Sequence, residues 1–304
     1  MLVLLILLAV ILLGFAARFI CYPSQRDSSE ESNISYSPWR SETEYQERFP
    51  TSPEVKQENP KTFPAPPGVK KESRESKVLY NMGVMFFLGV GGYPKDPQKA
   101  VDYFRAAANQ GHIEAQSKLG YCLAKGIGCE QSDEEALWWY RQAAEQGNAE
   151  AQNNLGLAIA DGSGCEKNPE EAVRWFTASA NQRHPQGQYN LGVFTLHGDG
   201  CQKDIEKAVR LFRAAAVQQY AIAQYALGEC LLDETVSPRD PVEAVKWLRA
   251  AANQGIADAQ YRLGVCLAEG DGCRRDPAES RQWLREAAVQ GNKEASERLN
   301  STDE

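Results

Sequence analysis

The stretch EAQNNLGLAIADGSGCEKNP, residues 150–169, combines three features that return at a fixed interval along the chain. Its pair Leu155-Gly156 recurs every 36 residues in five successive units. Its glycine-flanked Cys165 has counterparts in three other units, and its Asn168 belongs to a column of short polar residues with the same spacing. An interval of this length and regularity predicts a chain built from stacked structural repeats.

Short polar residues mark where a helix begins in each unit. A side chain of this kind accepts a hydrogen bond from the first N–H groups of a helix, which otherwise lack a partner. Proline follows four of these residues, where its missing N–H costs nothing, and in four units a glutamate three residues after the cap completes a capping box. The predicted caps are Asp96, Ser132, Asn168, Asp204, Asp240 and Asp276.

Each predicted cap opens a helix of about fourteen residues with one apolar face. In DEEALWWYRQAAEQG, residues 133–147, this face carries Trp139 between two alanines, and Gly147 ends the helix where a left-handed residue is favoured. The other helix of the unit, AEAQNNLGLAIADG at residues 149–162, also has apolar residues at helical spacing. The sequence therefore predicts that each unit is a helical hairpin.

The pattern A-x-x-x-L-G, then G-x-G, then D-P-x-x-A, an aromatic residue and A-A-x-x-G resembles the Sel-one-like repeat, a relative of the tetratricopeptide repeat. The resemblance implies an all-α fold for residues 78–304, a right-handed α-solenoid of about six 36-residue helix-turn-helix repeats. Two loops depart from the pattern and are expected to differ in shape. They are GVGGYPKD, residues 89–96, with one inserted residue, and DETVSPRD, residues 233–240, without loop glycines or cysteine.

The chain before the repeats has two parts of contrasting composition. Residues 1–17 carry no charge, and with the apolar residues after Arg18 they approach the roughly 20 residues that cross a bilayer. Residues 1–22 are interpreted as a membrane anchor or, alternatively, as a signal peptide, although no Lys or Arg precedes the apolar run. Residues 23–77, rich in proline and serine, are predicted to be a disordered linker with a mean span of roughly 40 Å.

Localisation follows from the charges around this anchor. Arg18 and Arg26 come after the apolar run, which favours a single-pass membrane protein with its repeats in the cytosol. Two glycosylation sequons, at Asn33 and Asn300, support the alternative that the repeats are exported to the periplasm, a lumen or the medium. The net charge of −8 lies almost entirely on residues 78–304, which disfavours binding to nucleic acid.

Seven cysteines of the repeat region fall into two columns. Members of one column belong to different repeats, too far apart to share one metal ion, so no metal site or other cofactor is predicted. Cys122 with Cys129, and Cys266 with Cys273, are seven residues apart across a bend and form two possible disulfides. The alternative interpretation is that these cysteines are small buried hydrophobic residues. The columns are Cys129, Cys165, Cys201 and Cys273, and Cys122, Cys230 and Cys266.

No catalytic residues are predicted. No histidine stands in an arrangement with a cysteine or serine that indicates a nucleophile and its base. Some cysteine-rich proteins of the family that the repeats resemble have β-lactamase activity, but residues 78–304 contain no S-x-x-K motif. A hydrolase is therefore the weakest of the functional hypotheses, and no small-molecule substrate is expected.

The first helices of the repeats are expected to line a concave surface that binds a protein or peptide. Tyr189, Tyr225 and Tyr261 occupy one column of these helices and are predicted to form an aromatic rail, with Asn190 and Arg262 in the next column as hydrogen-bond donors. The alternative is that the tyrosines pack between repeats. The sequence therefore predicts a membrane-tethered scaffold or adaptor, with a secreted or periplasmic repeat protein as the alternative.

Overall fold

The structure, a computed structural model, describes residues 73–236 and 238–302. These residues form thirteen helices and no strand. The helices are α1 Arg74–Leu88, α2 Pro97–Asn109, α3 Ile113–Lys125, α4 Asp133–Glu145, α5 Ala149–Asp161, α6 Pro169–Asn181, α7 Pro185–His197, α8 Ile205–Ala216, α9 Ala221–Leu232, α10 Pro241–Asn253, α11 Ala257–Glu269, α12 Pro277–Val289 and α13 Lys293–Thr302.

Consecutive helices pack in pairs, and the pairs stack in chain order. We call the pairs α1/α2 to α11/α12 repeats 1 to 6, and their members the first and second helices. Each second helix also packs against the first helix of the following repeat, and α13 packs on α12. The predicted all-α repeat solenoid is therefore confirmed for the described residues.

The predicted helix caps are confirmed. All six side chains accept a hydrogen bond from a backbone N–H group three residues later, at 2.9–3.3 Å. Gly147 ends α4 in the left-handed region, at φ +91°, as predicted, whereas Arg183 and Gln219 adopt this conformation after α6 and α8 without being glycine. Local sequence therefore fixes where the second helices begin, and in most repeats also where they end.

A second set of glycines allows the two helices of a repeat to pack closely. A Cβ atom on Gly156 would lie 2.6 Å from the ring of Phe176, and one on Gly192 would lie 2.7 Å from Phe212. The ring that fills this space in repeat 3 stands one residue after the position of Trp139 in repeat 2. Phe176 is fully buried, whereas Trp175, the counterpart of Trp139, is only half-buried. Glycine is therefore required here because a larger side chain would force the helices apart.

The loops inside the repeats join one repeat to the one before it. A Cβ atom on Gly164 would lie 2.5 Å from the carbonyl oxygen of Asp133, at the start of the preceding second helix. Gly128, Gly200 and Gly272 make the same close approach in their repeats. The fifth loop, predicted to differ, does so: α9 ends at Leu232, and the next residue, Asp233, is extended rather than left-handed.

The structure describes little of the chain that precedes the repeats. Helix α1 begins at Arg74, under a cap from Ser73, so the first helix starts four residues before the predicted boundary at residue 78. The predicted anchor, residues 1–22, and the predicted linker up to residue 72 lie outside the described residues. Within the described residues, no helix combines the length and apolar character needed to cross a membrane.

Candidate partner-binding surface

Two of the three tyrosines predicted to form an aromatic rail are buried. Tyr189 is 1% exposed and Tyr225 is 6% exposed. The ring of Tyr189 packs 5.7 Å from the rings of both Phe212, in the second helix of its repeat, and Tyr220, at the start of the next repeat. These contacts match the alternative interpretation, in which the tyrosine column packs between repeats.

The pair Tyr261 and Arg262 in α11 remains partly accessible, since both residues are half-buried. The Nε–H of Arg262 donates to Glu229 in the preceding first helix, at 2.6 Å. The side chain of Glu229 is only 11% exposed. Burial raises the pKa of this carboxyl, and the charge of Arg262 acts against that shift. Arg262 therefore compensates a buried acid while about a third of its side chain (34%) stays accessible.

Asn190, also predicted to bind a partner, instead joins two repeats. Its side-chain amide donates to Asn153 in α5 at 2.7 Å, and Asn190 is only 8% exposed. Other first helices are joined across repeat boundaries by Lys118 with Glu150 at 2.9 Å. Much of the polar surface of the first helices is therefore already used to hold the repeats together.

A polar network on the second helices was missed by the sequence analysis. Arg141 donates to Glu171 in the next second helix at 3.1 Å, and Glu171 also accepts the indole N–H of Trp175 at 3.3 Å. Three other boundaries have the same arrangement of arginine, glutamate and tryptophan. They are Arg105 with Glu135 and Trp139, Arg213 with Glu243 and Trp247, and Arg249 with Glu279 and Trp283.

A column of glutamines forms a second network that the sequence analysis missed. In five repeats the glutamine that follows the second helix donates to a buried glutamine of the first helix, 30 residues earlier, at 2.6–2.8 Å. The signal was present in the sequence, because Gln116, Gln152, Gln188, Gln224 and Gln260 recur every 36 residues. These bonds join the end of each second helix to the start of the first helix of the same repeat. They leave few side-chain amides of this column available to bind a ligand.

All seven described cysteines are free thiols. Burial raises the pKa of Cys122 to about 12, and the nearby Cys129 adds to the shift. The pair Cys266 and Cys273 shows the same relation, with the pKa of Cys266 raised to about 12. A nucleophilic thiol requires a lowered pKa, so these environments favour unreactive thiols. Disulfides within the two pairs stay a prediction.

Two histidines act as helix caps. Nδ1 of His112 accepts the backbone N–H of Ala115, and Nδ1 of His184 accepts that of Gly187, both at 3.3 Å. Burial lowers the pKa of His184, which favours the neutral ring that can accept this bond. The described residues contain no group of three His, Cys, Asp or Glu side chains arranged for a metal ion. The histidine column therefore has a structural explanation.

Comparisons with known proteins agree with the repeat pattern. The model of the Sel1 repeat matches residues 76–112, 113–148, 149–184, 185–219, 221–256 and 257–292. A solved Sel1 repeat protein from Oxalobacter formigenes is 32% identical, with a TM-score of 0.68, over 75% of this chain and 65% of that protein. No curated protein matches the chain.

A second solved structure is c5321, a protective antigen present in uropathogenic Escherichia coli strains and displaying an SLR fold. It is 32% identical, with a TM-score of 0.66, over 74% of this chain and 48% of that protein. The chain thus spans about two thirds and about half of the lengths of these two relatives. Sel1 repeat proteins are protein-interaction scaffolds and are typically not enzymes. The six consecutive matches show that this chain belongs to the Sel1 repeat family.

Proposed function

We propose that this chain is a membrane-tethered scaffold that binds a protein or peptide partner along its first helices and catalyses no reaction. The observation that carries the proposal is the partly accessible pair Tyr261 and Arg262 on α11, next to the buried Glu229. The apolar residues 1–22 would supply the tether. Arg18 and Arg26, which follow the apolar run, support a cytosolic location for the repeats.

The chemistry of the pair suits an extended peptide. Glu229 accepts the Nε–H of Arg262, so the terminal NH₂ groups of the guanidinium can donate to a carboxylate or a backbone carbonyl of the partner. Tyr261 offers a large ring and loses little side-chain entropy on binding. Tyr189 and Tyr225 would act indirectly, by holding the first helices in place. The proposed contact is therefore smaller than the three-tyrosine rail and lies towards the C-terminal repeats.

The test of this surface is affinity purification of the full chain from native membranes, with mass spectrometry of the captured proteins. Tyr261→Ala is expected to reduce recovery of the specific partner by about tenfold or more, because buried aromatic residues dominate interface energies. Arg210→Ala is the matched control, since this side chain is 66% exposed on the second helix α8. A partner recovered equally with both variants would reject the surface, provided that their helical content is unchanged.

The tether is tested separately by alkaline extraction of membranes. The full chain is expected to stay in the membrane pellet, and a chain that begins at residue 23 is expected to be released, because an apolar helix inserts stably whereas a peripheral protein is washed off. N-terminal sequencing of the extracted chain distinguishes an anchor from a signal peptide. A mature chain that begins after residue 16 would reject the anchor and favour export.

A further inference from the structure

The loop between α1 and α2, residues 89–96, has an apolar surface, and we call this segment together with Leu88 the first loop. Leu88 is 43% exposed, Val90 is 45% exposed and Tyr93 is 38% exposed. Seven large apolar side chains are exposed among the described residues, and three of them lie in this short segment. Such a concentration marks an interaction site more often than a scattering of single residues does.

The first loop differs from the corresponding loops because no described repeat precedes it. In four later repeats a loop glycine packs against the start of the preceding second helix. In the first loop, a Cβ atom on Gly91 would meet only Met85, at 3.7 Å or more, and one on Gly92 would meet nothing within 4 Å. Among the described residues, no preceding helix therefore packs against these two loop glycines.

The residue types of the first loop also differ from those of the other loops. The position of Leu88 is filled by a charged residue or histidine in repeats 2, 3, 4 and 6, and the position of Val90 is polar in three of these repeats. The replacements are Lys125, Asp161, His197 and Glu269 at the first position, and Ser163, Asp199 and Asp271 at the second. Stacking alone thus does not require apolar residues here.

The base of the first loop is packed against aromatic rings and carries basic residues. The ring of Tyr93 lies 5.0 Å from that of Phe86, which in turn stacks on Tyr103 at 5.6 Å. Lys95 is exposed, and the side chain of Lys99 is 58% exposed although it also pairs with Asp96. Apolar side chains at a tip with lysines behind them are typical of segments that contact anionic bilayers.

We propose that the first loop is a membrane-contact site. Leu88, Val90 and Tyr93 enter the boundary between the headgroups and acyl chains, and Lys95 and Lys99 face anionic headgroups. The inference rests on the proposed tether, because the predicted linker of residues 23–77 would keep the repeats at a mean distance of roughly 40 Å from the bilayer. At the millimolar effective concentration that such a linker gives, a contact with an intrinsic Kd below about 1 mM is occupied most of the time.

The test is amide hydrogen exchange on the full chain, in detergent micelles and in nanodiscs of phosphatidylcholine with or without phosphatidylserine. Amides of the first loop are expected to exchange about tenfold more slowly in nanodiscs with phosphatidylserine than in micelles, because lipid contact restricts opening and solvent access. Val90→Asp is expected to restore the rate seen in micelles. Val242→Asp is the matched control, since Val242 is 55% exposed at the start of α10.

Equal exchange of the wild-type loop in micelles and in both nanodiscs would overturn the inference. So would protection that Val90→Asp leaves intact, or protection that appears only when membrane proteins are added, which would assign the loop to a protein partner. A failure of the proposed tether is detected separately, because the protein then does not co-elute with the nanodiscs. In that case the loop is measured with vesicles of the same lipids at millimolar concentration, where unchanged exchange again overturns the inference.

Discussion

Two repeat boundaries of the solenoid are held together in different ways. Between repeats 2 and 3, the second helices are joined by Arg141, Glu171 and Trp175. Between repeats 3 and 4, the same three positions hold Thr177, Lys207 and Leu211, which cannot form that network. Thr177 instead donates its hydroxyl to the carbonyl of Val173 in its own helix, at 2.7 Å.

The first helix α7 carries the contacts at the second boundary. Ten consecutive residues of α7, from Gly187 to Leu196, are buried, and α7 packs directly against α5. Phe194 lies 5.0 Å from Phe176 of the preceding repeat, and Asn190 donates to Asn153. The comparison shows that one repeat pattern tolerates a shift of stabilising contacts from one layer of helices to the other. It also explains why residues predicted to bind a partner in α7 are buried.

The largest expected effect comes from removing the aromatic contact of α7. Repeat 3 has alanine, Ala158, at the position of Phe194. Phe194→Ala places the same residue type at a boundary that lacks the arginine network. Because Phe194 is 5% exposed, the substitution is expected to lower the free energy of unfolding by about 3 kcal/mol. Urea unfolding, monitored by circular dichroism, measures this change in the free energy of unfolding. A loss under about 1 kcal/mol would show that α7 can close the cavity by moving.

The next effect concerns the buried amide pair at the same boundary. Asn190→Ala removes the donor to Asn153, which is 1% exposed, and is expected to cost about 1–3 kcal/mol because a buried polar group then loses a partner. Asn181→Ala, at the exposed last residue of α6, is the control and is expected to cost less. Equal losses in the two variants would contradict the assignment of Asn190 to the boundary.

The sequence was sufficient to predict the repeat, the helix caps and the loop glycines, because these depend on local backbone chemistry and recur at a fixed interval. It was insufficient for the tyrosine column. Tyr189 is buried because its ring packs against Phe212 of its own repeat and Tyr220 of the next, contacts between residues 23 and 31 positions apart in the chain. Helical periodicity gives the face of a helix, whereas burial depends on the neighbour that covers this face.

The missed networks teach the same lesson in another form. Arg141 and Glu171 are 30 residues apart, so neither local spacing nor comparison within one column reveals that they meet. The signal lies in two columns, one of arginines and one of glutamates. Each arginine pairs with the glutamate 30 residues later, in the next repeat, and this relation becomes visible only when the repeats are stacked. Trp175 shows the same limit: it is the counterpart of Trp139 in the next repeat, but the fully buried ring in that repeat belongs to Phe176.

A pH-dependent effect is expected where the arginine network is present. Hydrogen bonds from Arg213 hold the pKa of Glu243 below its usual range, so the carboxyl titrates at lower pH in the folded than in the unfolded chain. The stabilisation is therefore complete above the unfolded pKa, ~4.3, and is lost as the pH falls through the folded pKa. A double-mutant cycle of Arg213→Gln and Glu243→Gln is expected to give a coupling of about 0.5–1 kcal/mol at pH 7 and less at pH 3.

The control for this cycle is the pair of Arg210 and Glu206 on the surface of α8. Their side chains are 66% and 88% exposed and 3.5 Å apart, so solvent screens the pair almost completely. Its coupling is expected to be about 0.3 kcal/mol. A coupling for Arg213 and Glu243 that is no larger than this, or that does not fall with pH, would show that the second-helix network contributes through packing of Trp247 rather than through charge.

The smallest effect is expected from building the missing network between repeats 3 and 4. The other four boundaries between the described repeats each have an arginine–glutamate pair. Thr177→Arg together with Lys207→Glu places the same pair at this boundary. The gain is expected to be at most about 0.5 kcal/mol, because the pair would be partly exposed and Leu211 cannot add an indole donor. Unfolding of the single and double variants gives the coupling directly. No coupling would mean that close packing of α5 and α7 holds α6 and α8 too far apart for the pair, so that the two ways of joining repeats exclude each other.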